Sequence, residues 1–289
     1  MFKTIKNAWA TPDLRKKMLF TLLIIVIFRF GAAIPVPFLN TEALKGVMTE
    51  AAAAGTALNY LDTLSGGAFA QASLFAMGVT PYINSSIVIE LLTVAIPALE
   101  HMAKEGEEGR KRLGAITRYV AVGLAVAQAI VFYLRNSSYQ NVDIVKYKSG
   151  GAGVFTAFVI ILTFTAGASL LMWLGEQVNQ RGVGNGISVI LFAGIVARMP
   201  HVFNTLGMFW QAASQDASSY GKYYFLVPLF VVLFLVMMWV IVFMYDSERR
   251  IPIQYAKRMV GRKMYGGQSS YLPIKVGLSG VMPIIFASS

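Results

Sequence analysis

Long apolar blocks alternate with short polar connections along this chain. Six blocks, at about 18–37, 74–98, 114–134, 153–175, 187–206 and 224–244, approach or exceed the roughly 20 residues that a helix needs to cross a bilayer. A seventh begins at Leu272-Pro273 and stays apolar to Ser289, as if cut within or just after a span. The pattern predicts an all-α polytopic membrane protein with seven spanning helices. The stretch from Tyr60 to Glu100 stands out. Ser65-Gly66-Gly67-Ala68-Phe69-Ala70-Gln71-Ala72-Ser73 is too short and too polar to span, and reads as a half-helix. It leads into the second block, which carries Pro81, Tyr82, Asn84, Ser85, Ser86 and Glu90. A half-helix feeding a polar-striped span is what lines a path through a membrane.

Composition agrees. Hydrophobic residues make up 56% of the 289 positions and charged ones 13%, about half the share of a soluble domain. The first apolar run ends in Ile34-Pro35-Val36-Pro37, with no small-residue cleavage pattern, so it reads as an anchor. The net charge is +11, and its placement is uneven. Eighteen Lys and Arg precede the first block or lie in the 99–113, 176–186 and 245–271 connections and their flanks, against six in the opposite connections. By the positive-inside rule the N-terminus and those loops are cytoplasmic. Of the outer connections, 38–73 is the longest, and 135–152 reads as an exposed, strand-like crossing.

Catalytic sets are missing from the sequence. There is no cysteine, and the two histidines, His101 and His201, have no partner at metal-ligand spacing. No phosphate-binding lysine loop and no nucleophile elbow occur. Gly182-Val183-Gly184-Asn185-Gly186 is read as a tight lead into the fifth span rather than a nucleotide site. Charges that touch apolar blocks include Arg29, Glu90, Glu176 and Lys275. The last two lie at span ends, where snorkelling accounts for them, and Arg29 is near an end as well. Glu90 is deeper, and a polar helix contact or a water-facing position suits it better than a proton relay. Gln128 is a lone polar residue in the third block, suited to a bond with a neighbouring helix or to gating. The run from Ser247 to Tyr265 differs in kind. Pro252 and the alternation of Ile251, Ile253 and Tyr255 favour extended chain, and basic residues cluster about a turn at Gly261. Such a cationic hairpin can grip a phosphate backbone or an acidic protein surface, or lie against lipid headgroups.

Several motifs in order resemble the SecY family of protein-conducting channels. They are Ser65-Gly66-Gly67-Ala68 with Gly78-Val79-Thr80-Pro81-Tyr82-Ile83, then Met172-Trp173-Leu174-Gly175-Glu176-Gln177 with Arg181 to Ser188. Arg249-Arg250-Ile251 with Tyr255-Ala256-Lys257-Arg258, and Leu272 to Val276 running into Pro283 to Ser289, complete the set. Two positions depart from the family pattern: Glu90, where a neutral residue is expected, and Gly277, where many members carry Asn. The resemblance implies a ten-helix channel of two inverted halves, with 1–206 forming the first half and 207–289 the start of the second. It implies a plug at 62–73 that includes Ser65, Gly66, Gly67, Ala68 and Phe69. It implies an aliphatic pore constriction of Val79, Ile83, Ile187, Leu191 and Ile285, and a lateral gate that includes Asn84, Ile87, Gln128 and Pro283. Arg249, Arg250, Lys257, Arg258, Arg262 and Lys263 would bind the ribosome or the motor ATPase SecA. SecE, SecG, signal sequences, nascent polypeptides and membrane lipids are the other implied partners. The implied site is the bacterial plasma membrane, with no cofactor, no metal and no enzymatic activity. A collar of branched aliphatics fits such a role, because it offers no hydrogen bond to any passing side chain and dewets when empty. A secondary transporter would need a charged or unwound midplane site, and an intramembrane enzyme a nucleophile–base pair; the sequence offers neither.

Overall fold

The computed structural model describes residues 9–53, 62, 65–137, 143–147, 150–215, 221–253, 258–260, 263–265 and 270–275. For 48–53, 258–260, 263–265 and 270 it describes the backbone alone. The chain divides into two compact units, Met1–His201 and Val202–Ser289.

In the first unit, α1 (Pro12–Ala33) starts on Pro12, whose missing N–H costs nothing in a first turn, with Asp13 at the positive end of the helix dipole. It stops at Ile34, which precedes Pro35 and is held extended by it. The first apolar block, expected to 37, therefore ends as a helix at Ala33. Lys16, Lys17 and Arg29 leave α1 a shorter uncharged run than a bilayer's hydrocarbon requires, so its ends must snorkel. A second helix, α2 (Thr41–Ala53), lies in the longest connection and buries Leu44 and Val47.

The expected half-helix is not helical in its described part. Residues 65–79 are a succession of tight turns. Gly66, Gly67, Ala72 and Gly78 all hold positive φ (70°, 86°, 46° and 58°), a region that a right-handed helix cannot use. The second span consequently starts at α3 (Thr80–Ala95), six residues later than its apolar pattern suggests. It is also bent. Pro97 forces Ile96 out of helical geometry, and α4 (Pro97–Lys104) leaves at 102° to α3. Next come α5 (Glu107–Ser137), α6 (Gly150–Arg181) and α7 (Gly186–Ala197). α3 packs on α5, α5 on α6, α6 on α7, and α1 on both α6 and α7.

The connection before α6, expected as an exposed, strand-like crossing, is exposed at Asp143, Lys146 and Tyr147 and buried between them. Ile144 and Val145 are fully buried; Val145 bridges Leu39, with Asn40 N–H donating to the Ile144 carbonyl at 2.8 Å and Lys146 N–H to that of Phe38 at 3.1 Å. Apolar side chains at 144 and 145 leave water when the chain at 38–40 pairs with that at 144–146, which alternation alone does not reveal.

α8 (Met199–Gln215) begins in the first unit and lies mostly in the second. α9 (Tyr223–Asp246) is apolar on every side and has no buried residue, the surface of a helix solvated by lipid or by other spans. After it the chain is not all-α. β1 (Glu248–Ile253) pairs antiparallel with β4 (Ser270–Lys275), and β2 (Arg258–Val260) with β3 (Lys263–Tyr265). The inner ladder keeps the register of the outer one, with Val260 opposite Lys263; the turn expected at Gly261 lies outside the described residues. The span expected from Leu272 does not begin there. Tyr271, Leu272 and Ile274 belong to β4, and Pro273, which would break a helix, is tolerated because a two-stranded ribbon consists of edges. Gly277, Pro283 and Ile285 lie outside the described residues.

Among the described helices, four are long and apolar enough to cross a membrane: α5, α6, the α7–α8 pair over Gly186–Gln215, and α9. A fifth is added if the bent α3–α4 pair counts as one span. The seven expected are not all found.

Candidate functional site

The turns from Ser65 to Val79 lie between two apolar clusters and belong to both. Phe69, Ala72 and Ala76 pack into one, with Val36, Leu39 and Leu44, with Ala129 and Phe132 of α5, and with Ile160 and Phe164 of α6. Phe75 and Val79 pack into the other, with Ile24 and Phe28 of α1, Leu171, Leu174 and Val178 of α6, and Ile190 of α7. Rings fix the first contact: Phe69 meets Phe132 edge-on at 5.3 Å, and Phe132 meets Phe164 at 4.9 Å. Backbone bonds fix the middle of the segment. Val36 N–H donates to the Ala72 carbonyl at 2.8 Å and Leu74 N–H to that of Ile34 at 2.9 Å. α6 presses so close on Leu74 that a Cβ at Gly167 would collide with the Leu74 carbonyl.

The expected constriction residues are thus partly brought together. Val79 is buried, and Ile187 packs against the same cluster. Ile83, one turn further along α3, and Leu191 on α7 are half-buried. Of the expected plug residues, Ser65, Ala68 and Phe69 are buried, while Gly66 and Gly67 are half-buried. Of the residues expected at the lateral gate, Ile87 is buried, and Asn84 and Gln128 are half-buried. Arg249 and Arg250 are exposed on β1. Arg258 and Lys263 belong to the inner ladder, whereas Lys257 and Arg262 lie outside the described residues.

α7 carries Ile187 and Leu191, two of the residues expected at the constriction, and the glycine-rich turn seats it. Asn185 caps the helix, its Oδ1 accepting from the N–H groups of Ile187 at 3.1 Å and Ser188 at 3.3 Å. Gly186 N–H donates to Asn179 Oδ1 at 2.7 Å, and Val183 N–H to Thr21 Oγ1 of α1 at 3.1 Å. The motif is structural, as its spacing indicates. Asn185→Ala is expected to cost about 1 kcal/mol by removing the cap; thermal unfolding in detergent measures it, and Asn185→Asp should retain most of the stability.

Sequence reasoning misses two ion pairs. Arg118 Nε lies 2.9 Å from Glu176 Oε1, joining α5 to α6, whereas the sequence pattern accounts for Glu176 by snorkelling alone. Arg198 Nη1 lies 2.7 Å from Asp62 Oδ2, although the charge pattern counts Arg198 only as a loop cation. A lone arginine interrupting the apolar 187–206 block is the available signal for the second. No group of three metal-ligating side chains occurs among the described residues.

The SecY family model matches residues 73–289, three-quarters of the sequence. The chain belongs to the SecY family. The protein translocase subunit SecY of Mycobacterium tuberculosis is 42% identical over 297 aligned residues, and that of Streptomyces griseus 40% over 292. Each alignment takes in the whole of this chain but 64% and 65% of the relative, so the chain spans about two-thirds of their length. Among solved structures, "The structure of a protein conducting channel" superposes with a TM-score of 0.59 at 18% identity, over 95% of this chain and 56% of that one. Sec61 in the canine ribosome–channel complex gives the same values. These likenesses carry the fold. With several apolar helices in a SecY-family chain, the protein is a multi-pass membrane protein.

Proposed function

We propose that this chain is the N-terminal part of a protein-conducting channel. It passes unfolded polypeptide across the membrane and releases hydrophobic segments sideways into lipid. The observation that carries the reading is the burial of Val79 against α6 and α7 beside Ile187, at the end of a turned segment enclosed by helices. A translocated chain presents every side-chain chemistry in turn. Aliphatic side chains that bind none of them and yield sterically make a suitable gasket, and they exclude ions by dewetting. In this reading 62–73 is the plug, and Val79, Ile83, Ile187, Leu191 and Ile285 line the constriction. Asn84, Ile87, Gln128 and Pro283 belong to the lateral gate. The division of the channel falls near residue 206, with seven spans in this chain. The N-terminus and the 245–271 hairpin face the cytoplasm of a bacterial plasma membrane, on the strength of the Lys and Arg count.

The channel has no catalytic role of its own in this reading; a partner drives transport. The charged hairpin, from Arg249 through Lys263, is the proposed dock for SecA or the ribosome, whose RNA is a polyanion. SecE and SecG are the proposed membrane partners, by family membership. The structurally similar Sec61 was solved in a ribosome–channel complex, which supports the same reading.

A photo-cross-linker at Ile83 or Ile187 of the full-length protein, with a translocating chain stalled in it, tests the proposal. Adducts with the stalled chain are expected. Adducts with lipid alone at both positions would overturn the pore assignment.

A further inference from the structure

Asp62 opens the turned segment and ties it to α7. Its Oδ2 receives Arg198 Nη1 at 2.7 Å; the Asp62 side chain is 5% exposed and that of Arg198 27%. Its Oδ1 accepts the Ala70 N–H at 2.8 Å. Its carbonyl accepts the Gly67 N–H at 2.9 Å and the Ser65 hydroxyl at 3.0 Å, and Ser65 Oγ accepts the Phe69 N–H at 3.2 Å. One residue thus organises the turn around Ser65–Ala70 and fastens it through a charge to the end of α7. A second contact lies one helical turn earlier on α7. Gly66, at φ +70°, rests on Gly194, where an added Cβ would stand 2.8 Å from the Gly194 carbonyl oxygen. Beyond this turn the chain is held differently. The bonds to Ile34 and Val36 bind Ala72 and Leu74 to the connection after α1, and Ala72 stands at the junction with φ 46°.

We propose that the Asp62–Arg198 pair is the latch that keeps the plug segment closed, and that the segment swings about Ala72 while 73–79 stays in place. This rests on the plug reading of 62–73. A charged pair suits a releasable latch better than apolar contact alone. In the enclosed state the two charges face each other with little water between them, and their attraction is strong. Once a translocating chain displaces the segment, water solvates both groups, which stabilises the open state. Gly66 and Gly67 give the segment a backbone that can refold as it moves. Ala68 and Phe69 leave their pocket with it.

The test uses the full-length protein in planar bilayers, with no translocating chain. Asp62→Asn keeps an oxygen for the Ala70 N–H but removes the charge; Arg198→Gln removes the other partner. Each is expected to raise resting ion conductance by about tenfold, the effect of roughly 1.4 kcal/mol on a closed–open equilibrium. The exchange Asp62→Arg with Arg198→Asp should return conductance toward the starting value. A second readout does not depend on leak. The chain has no cysteine, so Ala68→Cys, at a position 1% exposed, reports opening through its rate of reaction with a membrane-impermeant maleimide. That rate should rise about tenfold with Asp62→Asn and fall again in the exchange variant. Unchanged conductance and labelling in both single variants would overturn the latch, as would faster labelling that the exchange does not reverse, since that marks general loosening. Deleting 65–71 in the same bilayers separates the latch from the plug. A leak on deletion with silent single variants removes the latch and leaves the plug, whereas a tight membrane after deletion removes both.

Discussion

Reversing the charge at Arg249, Arg250, Arg258 and Lys263 together is expected to weaken binding of SecA or the ribosome by at least about a hundredfold at low salt. The hairpin concentrates cations beyond what orientation needs: seven Lys and Arg lie between Arg249 and Lys275, whereas the 176–186 connection carries Arg181 alone. Arg249 and Arg250 are exposed neighbours on one strand, so their side chains leave opposite faces of the ribbon. The two-stranded frame holds them without ion pairing across the ladder, since Arg249 stands opposite Ile274 and Arg250 opposite Pro273. Each cation that contacts a polyanion releases condensed counterions, so losing it should lower the slope of log affinity against log salt by about 0.7–0.9. The measurement is a binding titration at several ionic strengths. Equal affinity and equal slope in the variant would take the docking role away from the hairpin. The reversal should leave insertion intact, because the N-terminal and 99–113 basic clusters remain.

Gly186→Ala is the substitution expected to harm the folded protein most, by about 3 kcal/mol. A Cβ there would collide with the Gly175 carbonyl oxygen and crowd Val178. These neighbours are backbone and packed core, with no flexible side chain to swing away. Relief requires α7 to back off α6, which breaks the bond from Gly186 N–H to Asn179 and shifts Ile187 and Ile190 relative to Val79. The variant should therefore lose thermal stability and, on the proposed channel reading, the seal. Gly123→Ala on α5 is the control: nothing lies within 4 Å of its added Cβ, and helix propensity favours the change by up to about 1 kcal/mol. Unfolding temperatures of the two variants in one detergent should move in opposite directions; similar shifts would mean that the α6–α7 contact is not what holds α7.

The two predictions rest on features of unequal legibility. The hairpin is readable residue by residue. Pro252 disfavours helix and the alternation of Ile251 and Ile253 marks extended chain, as β1 shows; each signal acts within a few residues. The later spans are readable for a similar reason, because uninterrupted apolar runs have no stable state in a membrane except helix. The break at Ile96 is also available, since Pro97 restricts the residue before it, but the surrounding apolar run conceals it. The small-residue stretch at 65–73 reads as a half-helix and is not one. Its glycines signal permissiveness without showing which would take positive φ, and Ala72, with no such signal, does so under the tie to Val36.

Local pattern and the demands of lipid are enough to read the family, the membrane class, the later long apolar helices and the charged hairpin from the residues alone. Packing in three dimensions sets how 65–79 turns between two clusters, which faces of α6 and α7 touch through Gly175 and Gly186, and that Asp62 meets Arg198. Those outcomes depend on atoms more than a hundred residues apart in the chain or on backbone approaching backbone, and nearest-neighbour chemistry carries no record of either.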